Sequence, residues 1–71
     1  MNNGLKPQNR VYPPGDWPAV EVLVDGQWLD GELRVWTQHR DGTWWANVSW
    51  RPTGEYSRRL GNFPADHIRK V

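Results

Sequence analysis

Two of the three Asp-Gly dipeptides of this chain, Asp25-Gly26 and Asp41-Gly42, divide a run from Val20 to Trp50 in which apolar residues recur at nearly every second position. A period of two belongs to strands with one buried face, and Asp-Gly between two such runs is a strong hairpin signal. Val20, Val22 and Val24 share the inner face of a first strand, and Leu29, Gly31, Leu33 and Val35 that of a long second one. A third strand lies within "DGTWWANVSW", after the second turn. Two hairpins in series make a meander.

The pattern also predicts a register. A two-residue turn at Asp25-Gly26 sets Val22 opposite Leu29 and Val20 opposite Gly31; the same turn at Asp41-Gly42 sets Val35 opposite Val48 and Leu33 opposite Trp50. Apolar then faces apolar, whereas a slip of one residue would put Val35 against Asn47 and turn a whole face to water. In this register Trp44, Ala46, Val48 and Trp50 point inward, and Trp45, Asn47 and Ser49 point outward. The same parity sends Trp28, Asp30, Glu32, Arg34 and Trp36 outward on the second strand, making Trp36 and Trp45 diagonal neighbours on the outer face.

A chain of 71 residues buries only about 60% of its unfolded surface, so each large side chain counts. There is no cysteine to supply disulfides or thiolate metal sites. Six tryptophans, two tyrosines and one phenylalanine take their place, each able to bury about 150–250 Å². Residues 1–18, "MNNGLKPQNRVYPPGDWP", hold four of the six prolines and no apolar period, which reads as a flexible or loosely docked N-terminal tail. No run approaches the ~20 apolar residues of a membrane span, and the start lacks a signal-peptide centre. Cytoplasmic location and no membrane partner are the expectation.

After the polar stretch "RPTGEYSRR", the chain runs to "LGNFPADHIRKV". Phe63 is placed to plug the core, Pro64 to open a short 3-10 turn through Ala65, Asp66 and His67, and Ile68 to restart a brief strand. The expected fold is all-β: a small five-stranded barrel over residues 19–71, with one 3-10 turn before the last strand.

This order resembles the SH3-like barrel superfamily, and within it the Tudor-like branch. "VLVDGQWLDGEL" is similar to the Tudor signature of a strand ending at an acidic-Gly turn, followed by an aromatic, a small and an apolar residue. "GNFPADHIRKV" is similar to the SH3 ending of Gly, bulky residue, Pro, helical turn and final strand. The resemblance covers residues 19–71 and concerns the fold. In SH3 domains the first of two adjacent tryptophans opens a proline-peptide groove and a small core residue stands two positions after the second. Here Ala46 follows Trp45 directly, and the usual SH3 opening motif and acidic loop are missing, so that site is not carried over. Tudor domains that read methylated side chains use an aromatic cage; Leu23, Val24 and Leu29 stand where its first members belong, and Trp50 and Tyr56 alone fall near cage positions.

Function reads as a non-enzymatic binding module. Its ligand-binding surface is expected to be Trp36 and Trp45, flanked by Arg34, Gln38 and Asn47, an aromatic centre with a polar rim of the kind enriched at interfaces. The expected partner is a protein or peptide, a second copy of the chain included. The alternative is single-stranded nucleic acid, with bases stacked on the tryptophans and Arg51, Arg58 and Arg59 along the backbone. Net charge is only +1 and residues 16–32 are acidic, which weighs against that alternative. Equally, the exposed tryptophans could serve packing alone, with Trp17 and the "YPP" of the tail lying on Trp36 and Trp45. His39 and His67 form no catalytic spacing, and no metal-ligand cluster or phosphate loop is present, so neither enzyme, metal nor cofactor is expected.

Overall fold

The computed structural model describes residues 10–71. The first nine residues of the segment read as a tail lie outside the described residues. Six strands are present: β1 (Arg10–Val11), β2 (Ala19–Val24), β3 (Gln27–Gln38), β4 (Trp44–Trp50), β5 (Arg59–Pro64) and β6 (Ile68–Lys70), with a 3-10 turn, Ala65–His67, before the last. They form one antiparallel sheet in the order β5-β4-β3-β2-β6, with β1 added to β3. Among the described residues the architecture is therefore all-β, without an α-helix. β5 and β6 are the two ends of the order, and no pairing between them closes the sheet.

The first hairpin has the expected register, with Val22 opposite Leu29 and Val20 opposite Gly31. Its turn residues, Asp25 (φ 49°) and Gly26 (φ 79°), both take the left-handed conformation that a two-residue turn between right-twisted strands demands. Asp and Gly are residues that accept it at low cost.

The second hairpin departs from expectation. β3 and β4 meet at Gln38 opposite Trp44, so the loop spans residues 39–43. Asp41 causes the widening: its Oδ1 accepts the Thr43 backbone N–H at 2.9 Å and the Thr43 hydroxyl at 2.6 Å. Such a local side-chain turn competes with a tight backbone turn. The loop closes with His39 N–H donating to Thr43 O at 2.8 Å and Gly42 N–H to His39 O at 3.0 Å.

This shift pairs Val35 with Asn47 and Trp36 with Ala46, where a regular ladder had been expected to pair Val35 with Val48. A β-bulge between Leu33 and Val35 then changes the phase, so that Leu33 faces Val48 and Gly31 faces Trp50. One extra residue, Arg34, thus switches the inward parity of β3 from odd to even numbers. The outcome is that Trp36 faces inward, not outward, and no polar strand face is buried.

The N-terminal segment takes up the backbone groups at the bulge. Leu33 N–H donates to Pro18 O and Arg34 O accepts from Tyr12 N–H, both at 2.9 Å, while Arg10 and Val11 pair with Trp36 and Val35. Between these contacts the chain turns at Pro13–Asp16, and the Trp17 indole N–H donates to Tyr12 O at 2.8 Å.

The core consists of Val20, Val22, Leu33, Trp36, Ala46, Val48 and Ile68, with Tyr12, Trp44, Trp50, Phe63 and Ala65 among the side chains packed around it. Pro64 caps the 3-10 turn. Ile68 returns to the core opposite Val22, and β6 runs beside β2.

Candidate functional site

Trp45 is the anchor of the predicted surface that faces outward. Its ring is stacked on His39, with centroids 4.9 Å apart and planes 4° from parallel. Its indole N–H donates to Thr43 Oγ1 at 3.0 Å, and that hydroxyl donates onward to Asp41. The Thr43 hydroxyl and backbone N–H, followed by the charge of His39, hold the Asp41 carboxyl below the usual carboxylate range. The loop is thus a set of reciprocal bonds that fixes the orientation of Trp45.

Trp36 does not join this face. It is 3% exposed, in the core beside Ala46, and its indole N–H has no hydrogen-bond partner. The bulge at Arg34 is the reason: it moves Trp36 to the opposite side of the sheet from Trp45. Arg34 itself lies over another ring, its guanidinium carbon 4.3 Å from the centroid of Trp17. Asn47 is outward and donates from Nδ2 to Asn62 Oδ1 at 3.1 Å. Gln38 borders the loop, donating to Gly42 O at 3.2 Å.

Two of the three arginines set aside for nucleic acid hold carboxylates. Arg59 Nη2 stands 3.1 Å from both oxygens of Glu55. Arg58 Nη1 is 3.8 Å from Glu32 and donates to Ser49 O at 3.4 Å. Arg51 is exposed. Arg69 donates from Nε to Glu21 at 2.6 Å with its guanidinium carbon 4.2 Å over the Trp28 ring.

Alternation placed Trp44 in the core, and it does pack there, yet it stays partly exposed. It sits on the first inward position of β4, at the end of the strand next to the 39–43 loop, where inward no longer means enclosed. Beside it lies a groove of about 330 Å³ lined by Gly42, Thr43, Trp44, Pro64, Ala65 and Asp66. Pro64 is also the cross-strand partner of Trp45, so one residue borders the groove and pairs with the strand position of Trp45. The "FPAD" sequence held this signal, since a Pro-capped turn after β5 has to lie next to the start of β4.

A second cleft, of about 240 Å³, lies between the Asp25-Gly26 turn and the 51–58 loop, with Leu29, Trp50, Glu55 and Arg59 on its walls. Tyr56, the other aromatic near cage positions, is 98% exposed and does not line it.

Among the described residues no group of three His, Asp or Glu side chains could hold a metal ion, and no helix is long and apolar enough to cross a membrane. No family model matches the chain, and no curated protein or solved structure matches it.

Proposed function

We propose that this chain is a small, non-enzymatic binding domain of the SH3-like, Tudor-like kind, and that it holds a protein or peptide segment across the Trp44 groove and the Trp45 face. The observation that carries the reading is the pair of partly exposed tryptophans at the start of β4, adjoining an apolar groove floored by Pro64 and Ala65. Aromatic side chains in a partly desolvated setting with polar neighbours are the usual anchors of protein recognition. The hydrogen-bonded loop supports it further, because a Trp45 ring already oriented loses little entropy on binding. Single-stranded nucleic acid has less support: Arg58 and Arg59 are engaged with Glu32 and Glu55, and binding to phosphate would have to break those pairs.

The test is selection of short random peptides on the immobilised domain, with the enriched peptides mapped by NMR on labelled protein. The expected result is movement of the Trp44 and Trp45 indole signals together with the Thr43 and Ala65 amides. Enriched peptides that move only Trp28 or Trp50, or selection that enriches none, would overturn the proposal.

A further inference from the structure

The fold puts the three Asp-Gly dipeptides, Asp25-Gly26, Asp30-Gly31 and Asp41-Gly42, into three different surroundings. The pair is reactive as well as turn-forming, because glycine has no side chain to shield its backbone nitrogen from the preceding carboxyl carbon. Asp30-Gly31 lies inside β3. Gly31 is buried, opposite Val20 of β2 on one side and Trp50 of β4 on the other, so swinging its nitrogen toward Asp30 would break a central strand. Asp41-Gly42 lies in the 39–43 loop and is tied at both reacting groups. Gly42 N–H donates to His39 O at 3.0 Å, and Asp41 Oδ1 accepts two bonds from Thr43. The same bonds hold the Asp41 carboxyl in its ionised form, which expels water far less readily than the acid.

Asp25-Gly26 has neither protection. The two residues are the whole of the turn between β2 and β3, and both are exposed. Among the described residues no hydrogen bond or ion pair holds the Asp25 carboxyl or the Gly26 N–H, and nothing lies within 4 Å of where a Cβ of Gly26 would stand. Rotating the peptide unit between them changes only ψ of Asp25 and φ of Gly26, so the flanking Val24–Gln27 pair stays in place. Glycine accepts either sign of φ at little cost.

We propose that this turn is a site of spontaneous backbone modification, at which Asp25 converts to isoaspartate while Asp30 and Asp41 persist. The Gly26 nitrogen attacks Cγ of the protonated Asp25 carboxyl and an N–Cγ bond forms. The carboxyl OH leaves with the amide hydrogen as water, closing a five-membered succinimide. One water then reopens the ring. Cleavage of the new N–Cγ bond restores aspartate, whereas cleavage between the nitrogen and the main-chain carbonyl carbon of Asp25 leaves the chain running through Cγ, with a free carboxylate on Cα. One water is lost and one taken up, so neither oxidant nor cofactor is needed. The product carries one extra backbone carbon in a two-residue turn and moves a carboxylate that borders the cleft beside Trp50 and Arg59.

The whole chain, incubated folded in mildly acidic buffer and in parallel unfolded in guanidinium chloride, tests this, with isoaspartate located residue by residue by electron-transfer fragmentation of its peptides. In the folded protein isoaspartate at position 25 is expected to exceed that at 30 or 41 by roughly five-fold or more, the factor that one intact hydrogen bond imposes on local opening. In the unfolded chain the three positions should convert at similar rates. Conversion of Asp30 or Asp41 as fast as Asp25 in the folded protein would overturn the proposal, as would a folded protein in which none converts while the unfolded chain converts all three. The same excess at Asp25 in the unfolded chain would overturn it too, by showing that neighbouring side chains, and not the turn, choose the site.

Discussion

At Gly31 a single β-carbon decides the packing. A Cβ built there would lie 2.7 Å from Val48 Cγ1 and 3.0 Å from the Ser49 carbonyl oxygen. The side chain could rotate away, but the backbone oxygen of a paired strand cannot. Gly31→Ala is therefore expected to lower stability by about 1–3 kcal/mol, the usual range for overpacking, measured by urea unfolding. Trp36 makes the opposite case. Removing its whole side chain should cost about 3–5 kcal/mol and leave the domain largely unfolded. Trp36→Phe loses ring area but also removes a buried N–H without an acceptor, a burden of about 1–3 kcal/mol. The phenylalanine variant should stay within about 1 kcal/mol of the parent; a loss as large as that of the alanine variant would show that the indole N–H is not a burden.

The elements differ in how readily they could be inferred. The β2–β3 hairpin was legible in full because alternation and turn chemistry agree there: Asp25 and Gly26 suit a two-residue turn and the same register pairs Val22 with Leu29. At Asp41-Gly42 the two signals conflict. Asp41 bonds forward to Thr43, which a turn dipeptide does not announce, and the register error that follows is repaired by a bulge at Arg34 that no alternation rule contains. Trp36 lies in the core and off the outer face for that reason, while Trp45 and Asn47 lie outward as alternation requires because β4 has no irregularity. The loop itself should respond to acid. Its carboxyl at Asp41 titrates lower in the folded protein than in the unfolded chain, so its contribution is fully present above the ordinary carboxylate range, declines as pH falls below that range and is gone once pH has passed through the lowered value. In an NMR pH titration the Asp41 side-chain carboxyl carbon signal is expected to hold steady from neutrality through that ordinary range and to move below it. Movement already at or above that range would contradict the Thr43–Asp41 bonds.

For the molecule as a whole, the segment ahead of β2 matters more than its composition suggests. Tyr12 packs on the core, and residues 10–18 supply partners to β3 at Leu33, Arg34, Val35 and Trp36. So small a domain has little stability in reserve. Deleting residues 1–17 is expected to lower both the urea midpoint and the m-value, because less surface is then buried by folding. Unchanged values would show that the segment adds nothing to the cooperative unit. The electrostatic pairs, by contrast, are mostly partly exposed, and Arg59–Glu55 at the surface should contribute under about 1 kcal/mol.

The bulge has a consequence for how this protein can change over time. β3 is written in two frames: from Leu29 to Leu33 the odd-numbered positions must stay small or apolar, and at Trp36 the even-numbered one must. A saturation scan of residues 27–38 should therefore show tolerance to polar substitution alternating along the strand and then slipping by one step at Arg34. Point changes at Arg34 would be mild, yet its deletion would scramble every inward position to one side of it. Descendants of this chain are free to vary the identity of that residue and bound to keep its presence.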